Sequence, residues 1–196
     1  MKMTGTTLTS TIKATISPSG ATGTITWTSS NPKVASVTPS GTGNSQAKIT
    51  GLTAGTTTIT AKVGSVTRSF TVTVEPSVTI SSFTANSTAS TLTLGSDGTY
   101  TWTRKSGTSC AAILKFTTGL SLDNTTVTVT SSDTKAVSVS TVTKSGTTGQ
   151  VQLTFGSMNT SGQVTITIKA GSMTKAFKIK LVGSDVSAVN VASTKK

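Results

Sequence analysis

A repeat inside the chain limits what it can fold into more than any other feature. Ile25-Thr-Trp27-Thr-Ser-Ser-Asn31-Pro-Lys33-Val-Ala-Ser-Val37 lines up with Val127-Thr-Val129-Thr-Ser-Ser-Asp133-Thr-Lys135-Ala-Val-Ser-Val139 at an offset of 102 residues. A second block, Ala54-Gly55 through Val72, aligns without gaps with Ser161-Gly162 through Ile179 at an offset of 107. Both blocks alternate apolar and polar residues with a period of two, the pattern of strands that bury one face. Phe70-Thr71-Val72-Thr73-Val74 shows it, and so does its partner Phe177-Lys178-Ile179-Lys180-Leu181, where lysine replaces threonine on the wet face. Gly64-Ser65 and Gly171-Ser172 fall between alternating runs at the same place in both copies and read as hairpin turns.

The composition agrees with strands. The 196 residues include 47 Thr, 30 Ser and 18 Gly. Thr is β-branched and suits a pleated surface, whereas Ser competes for helix hydrogen bonds. Hydrophobic residues are 33% and charged ones 11%, which excludes the charge-rich composition of disorder. A repeat near one hundred residues, built of short alternating strands, has the size of one immunoglobulin-like sandwich. The expected fold is therefore all-β, with two tandem immunoglobulin-like β-sandwiches. The first spans 1–75, the second and more divergent one 76–184 with an extra hairpin segment, and a C-terminal tail covers 185–196. Glu75-Pro76-Ser77 is the expected linker, because proline interrupts a strand ladder. Residues 78–110 find no partner in the first copy, although Leu114-Lys115-Phe116 matches Ile12-Lys13-Ala14 at the offset of 102. The lysines of Phe177–Leu181 are expected to guard a terminal strand against edge pairing.

The chemistry is constrained by what is scarce. There is no His, and the five acids, Glu75, Asp97, Asp123, Asp133 and Asp185, stand singly. Paired carboxylates, a serine triad, His-ligated zinc and carboxylate calcium loops all lack their residues. No catalytic, cofactor-binding or metal-ligating residue is expected, and the chain is read as no enzyme. Seventeen Lys and Arg give a net charge of +12, spread evenly from Lys2 to Lys196. Such a charge suits an acidic partner. Aromatic residues are 4%, too few for the base-stacking platforms of single-strand binders, so no nucleic acid is expected. Cys110 is alone and reads as a small buried hydrophobe. No apolar segment of signal-peptide or membrane-spanning length occurs, and no membrane insertion is expected.

Within the unmatched segment, Ser96-Asp97-Gly98 signals a tight turn before Thr99-Tyr100-Thr101-Trp102-Thr103-Arg104. Tyr100, Trp102 and Arg104 then share one face. They form either an interaction patch or a core aromatic pair with a rim arginine. The core reading is favoured, because the second copy has Val129 where the first has Trp27, and Trp102 is a candidate to fill that volume.

Thr24-Ile-Thr-Trp27-Thr-Ser-Ser-Asn31-Pro32-Lys-Val-Ala35-Ser-Val37, followed by Ile49-Thr-Gly51-Leu-Thr-Ala54-Gly55-Thr-Thr-Thr-Ile59-Thr-Ala61, closely resembles the bacterial immunoglobulin-like group 2 (BIG2) domain. That module occurs in intimin- and invasin-like adhesins and in bacteriophage virion proteins. The resemblance is strong over 6–74 and weaker over 112–182, where the Trp and the Asn-Pro are missing. It implies a Greek-key sandwich with Trp27 in the core and Gly55 at a turn, and it carries no catalytic residues. Family members open with a strand of the type Val-x-x-Val-x-Val, whereas this chain starts almost directly at Thr7-Leu8-Thr9. Asp185-Val186-Ser-Ala-Val189-Asn-Val191-Ala-Ser193 looks like that missing strand. It is either a tail or linker, or a strand donated between subunits of a homo-oligomer. The resemblance implies a non-catalytic structural protein, foremost a phage virion accessory such as a capsid decoration, head-fibre or tail-associated protein, assembled in the host cytoplasm. The alternative is a spacer or adhesive fragment of a bacterial cell-surface adhesin. The expected partner is a protein, either the virion lattice or a cell-surface component.

Overall fold

The computed structural model describes residues 1–105, 109–156 and 161–183, so the tail at 185–196 lies outside the described residues. The chain divides into two compact units, Met1–Thr79 with Thr117–Ser121, and Ile80–Phe116 with Leu122–Lys196. The division falls after Thr79 rather than at the proline, because β-structure runs through Pro76 almost without a break. Thr117–Ser121 joins the first unit because Leu120 packs on its core and the Gly119 amide donates to the Ser77 carbonyl at 3.3 Å. Apart from one 3-10 turn at Thr42–Asn44, every regular element among the described residues is a strand.

The first unit contains β1 (Lys2–Gly5), β2 (Thr9–Lys13), β3 (Thr26–Ser29), β4 (Ala35–Ser40), β5 (Gln46–Gly51), β6 (Gly55–Val63) and β7 (Val66–Pro76). A four-stranded sheet in the order β1-β7-β6-β3 faces a three-stranded sheet in the order β2-β5-β4. Alternation decides what lies between them. On β6 and β7, Ile59, Val72 and Val74 are buried, while Thr56, Thr58, Thr71 and Thr73 point the other way. Trp27 on β3 is 8% exposed and donates its indole N–H to the Asn44 carbonyl at 2.8 Å. The repeated Ser-Ser-Asn motif also has a local cause. Thr57 is buried, and its hydroxyl accepts the Asn31 amide at 2.9 Å and pairs with the Ser29 and Ser30 hydroxyls. Asn31 Oδ1 in turn accepts the Lys33 amide at 3.2 Å, and Asp133 Oδ1 accepts the Lys135 amide at 2.9 Å in the second copy. Asn and Asp interchange there because the turn needs only a short side-chain acceptor.

The first unit does open on a short strand, although not one of the Val-x-x-Val-x-Val type. β1 pairs in parallel with β7, Lys2 opposite Thr73 and Gly5 opposite Pro76, and Met3 enters the core at 4% exposure. It escapes the sequence pattern because it is four residues long and carries no β-branched aliphatic side chain.

The next strands are β8 (Val78–Ala85), β9 (Ser90–Leu94), β10 (Tyr100–Arg104), β11 (Cys110–Thr118), β12 (Val127–Ser131), β13 (Val137–Val139), β14 (Thr143–Ser145), β15 (Thr148–Phe155), β16 (Gly162–Ala170) and β17 (Met173–Val182). One sheet runs β12-β16-β17-β10-β9 and the other β13-β15-β11-β8, with β14 also on β15. β10 pairs in parallel with β17, Tyr100 opposite Ile179, which makes it the structural counterpart of β1. Part of the segment that lacks a partner in sequence thus has one in topology. β17 lies between β16 and β10, so its lysines guard no edge, contrary to the sequence expectation. Lys178 and Lys180 are simply the wet face of an interior strand. Both hairpins close on a two-residue loop, with Gly64 and Gly171 at φ of 55° and 58°, a conformation that favours glycine. Gly149 on β15 is required for another reason, since a Cβ there would lie 2.1 Å from the Phe116 ring.

Candidate functional site

Tyr100, Trp102 and Arg104 do share a face, and that face is the interior of the second sandwich. β10 has a neighbour on each side, so one surface of the strand is turned wholly toward the opposing sheet. Trp102 and Arg104 are both 0% exposed, and Tyr100 is half-buried. Tyr100 packs edge-on against Phe83 at 5.1 Å and Phe177 at 5.5 Å between ring centroids. Trp102 meets Phe83 at 5.9 Å and Phe155 at 5.5 Å. The Arg104 guanidinium lies 5.0 Å from the Phe155 centroid, and its Nη1 donates to the Gly156 carbonyl. A cation over an aromatic face with a carbonyl acceptor helps an arginine to be tolerated inside. The three residues therefore do not form an interaction patch, and Arg104 is not a rim residue. Burial raises the Tyr100 hydroxyl above its ordinary pKa of 10.0.

The register adds a comparison between copies. Trp102 is opposite Leu181 as Met3 is opposite Val74, so Trp102 stands where the first unit has Met3. The cores share a plan but not their side chains.

A second feature is an open side of the first sandwich, where the sequence reading has an opening strand missing. β2 has β5 on one side and, among the described residues, no strand on the other. Beside it runs an apolar groove. One cavity of about 410 Å³ is lined by Met1, Ile12, Ala14, Trp27 and Phe70 together with Lys13 and Arg68. A second of about 330 Å³ shares Ala14 and Arg68 and continues past Ile16, Ile25 and Val63. The sequence carries a further trace of it at Ala14, whose inward position has far less bulk than its counterpart Phe116 in the second copy.

A third surface is the wet face of β16 and β17, where Lys178 and Lys180 lie beside Thr165 and Gln163. Two residues apart on one strand, their ammonium groups share a face. Among the described residues no three His, Cys, Asp or Glu side chains come together as a metal site. Cys110 is a buried free thiol. Among the described residues no helix is long and apolar enough to cross a membrane.

Comparison with known proteins places these features. Among curated proteins none matches. Solved structures that match include the surface layer protein SbsC, domains 1-6, at 22% identity and a TM-score of 0.32, covering 86% of this chain and 21% of that one. The chain thus spans about a fifth of that relative's length. SbsC domains 5-6 match at 19% identity and a TM-score of 0.33, covering 93% of both chains. The insect immune protein hemolin matches at 14% identity and a TM-score of 0.39, covering 94% of this chain and 44% of that one. Likenesses this loose add nothing beyond the fold already described. The family model of the bacterial Ig-like domain (group 2) matches residues 6–74, the stretch that carries β2 through β7 of the first unit.

Proposed function

We propose that the chain is a non-catalytic module of a bacterial cell-surface protein, serving as a spacer or an adhesive element. The observation that carries this reading is the match of residues 6–74 to the bacterial Ig-like domain. Its surface chemistry supports it. The outward face of the first unit's larger sheet sets Thr56, Thr58 and Thr60 opposite Thr73, Thr71 and Ser69, with a hydroxyl pair at 2.8 Å between Thr60 and Ser69. Such a face is mostly uncharged hydroxyls, with Lys62 and the Lys2–Glu75 pair toward its ends. A second reading, a virion accessory docked on an acidic lattice, is favoured by one observation, the net charge of +12.

Immunogold labelling separates the two. Antibody raised against the purified chain is expected to decorate the envelope of intact cells that produce the native protein. Label confined to virions would support the second reading, and label confined to the cell interior would overturn both.

A further inference from the structure

The two units follow one plan, yet among the described residues the first lacks a strand that the second has. In the second unit β8 lies along β11 and seats Phe83 in the sandwich, with its ring 5.8 Å from that of Phe177. Beneath that cover, Leu114 and Phe116 on β11 are 0% exposed. Their counterparts, Ile12 on β2 and Ala14 just after it, are only half-buried, and so is Phe70, the counterpart of Phe177. The open groove of the first unit is therefore the place of an absent β8. An uncovered edge with unpaired backbone groups above an apolar groove is a template for an incoming strand.

The order of elements says which segment fits. β8 follows β7, the last strand of the first unit, after one intervening residue, and covers the unit that comes next. Residues 184–196 follow β17, the last strand of the second unit, in the same way. They contain Val186, Val189 and Val191 among small residues, with no proline. Val189 and Val191 are two apart and would share one face of a strand. Asp185 supplies an acid for a rim that carries Lys13 and Arg68. At about 3.3 Å per residue the segment reaches roughly 40 Å, longer than the β2 edge.

We propose that residues 184–196 of one molecule add as a strand to the β2 edge of a second copy, with Val189 and Val191 in the groove, so that copies join head to tail. The contact is heterologous, and it closes into rings or extends into filaments according to its rotation. It does not depend on whether the protein serves a cell surface or a virion.

Two measurements on the full chain test it. The Ala14 amide donates toward β5, to the Ser45 carbonyl at 2.9 Å, so alternation turns the Thr11 and Lys13 amides outward. Sedimentation is expected to show mass rising with concentration, and the oligomer to exchange its Thr11 and Lys13 amides about tenfold or more slowly than the monomer. The full chain carrying Val189→Asp and Val191→Asp is expected to stay monomeric with both amides exchanging freely. Neither substitution lies in a described sandwich. A synthetic peptide of residues 184–196 added to that variant is expected to restore protection of both amides. The proposal is overturned if the unaltered chain is monomeric at all concentrations, if the variant still oligomerises, or if the oligomer leaves both amides unprotected.

Discussion

At the scale of single residues, the indole of Trp27 supports two things at once. It fills core volume and satisfies the Asn44 carbonyl, while Asn44 Nδ2 donates back to the Ile25 carbonyl at 3.0 Å. Trp27→Ala is therefore expected to destabilise the first unit by about 3 to 5 kcal/mol in urea unfolding, through lost transfer energy and the cavity left behind. A cost below about 1 kcal/mol would mean that the ring is not a core residue. Trp27→Phe keeps most of the volume and orphans the carbonyl, which costs about 1 to 3 kcal/mol for an unsatisfied buried group. Tyr100 makes a different prediction. Its folded pKa is raised by burial, so the neutral phenol is the form the fold favours. The contribution is complete below the unfolded pKa of about 10 and is lost as pH climbs from there through the folded value. Melting temperature followed from pH 8 upward should fall more steeply for the unaltered chain than for Tyr100→Phe. Parallel curves would show that the hydroxyl is not held in the folded state.

Among the elements, β1 matters most for its size. It closes the edge of β7 and inserts Met3, and its ion pair from Lys2 to Glu75, 2.9 Å long and exposed, adds little. Met3→Ala is expected to cost the first unit about 2 to 4 kcal/mol, and Lys2→Ala under about 0.5 kcal/mol. Equal and small effects in thermal unfolding would mean that the strand is frayed. The same strand marks where the sequence stops being legible. β3, β6 and β7 and their copies β12, β16 and β17 could be read because alternation and a Gly-Ser turn are local signals. β1 could not, and β10 could be read as a strand but not matched to β1, because what defines each is parallel pairing with a strand some 70 to 80 residues later. Tyr100-Thr101-Trp102 and Met1-Lys2-Met3 have no residue in common. Arg104 was misplaced for a related reason: a strand's two faces can be told apart by pattern, but its neighbours cannot. An arginine on the face of Trp102 lies at a rim or in a core depending on whether β9 and β17 flank it. The open β2 edge was legible in part: the missing opening strand shows in the sequence, but which edge it leaves bare is visible only once the second unit shows what covers its own.

For the whole molecule the governing quantity is charge. Seventeen cations face five acids, so the cations are in large excess and the surface repels itself. At 0.15 M salt the Debye length is about 8 Å, short enough to screen cations on opposite sides of a unit from each other. Stability should therefore rise with salt, because screening relieves repulsion that is greatest in the compact state. Attachment to an acidic surface should do the reverse, because the same screening removes the attraction. Melting temperature and retention on carboxylate-bearing beads are thus expected to move in opposite directions as sodium chloride rises from about 0.02 to 0.5 M. Lys178 and Lys180, on the wet face of β17, give the control. Replacing both with Gln should weaken retention while leaving the fold as stable as before, since exposed substitutions of this kind usually stay within about 0.5 kcal/mol. Retention that survives 0.5 M salt would show that attachment does not run through charge, and the apolar groove beside β2 would then be the surface to mutate first.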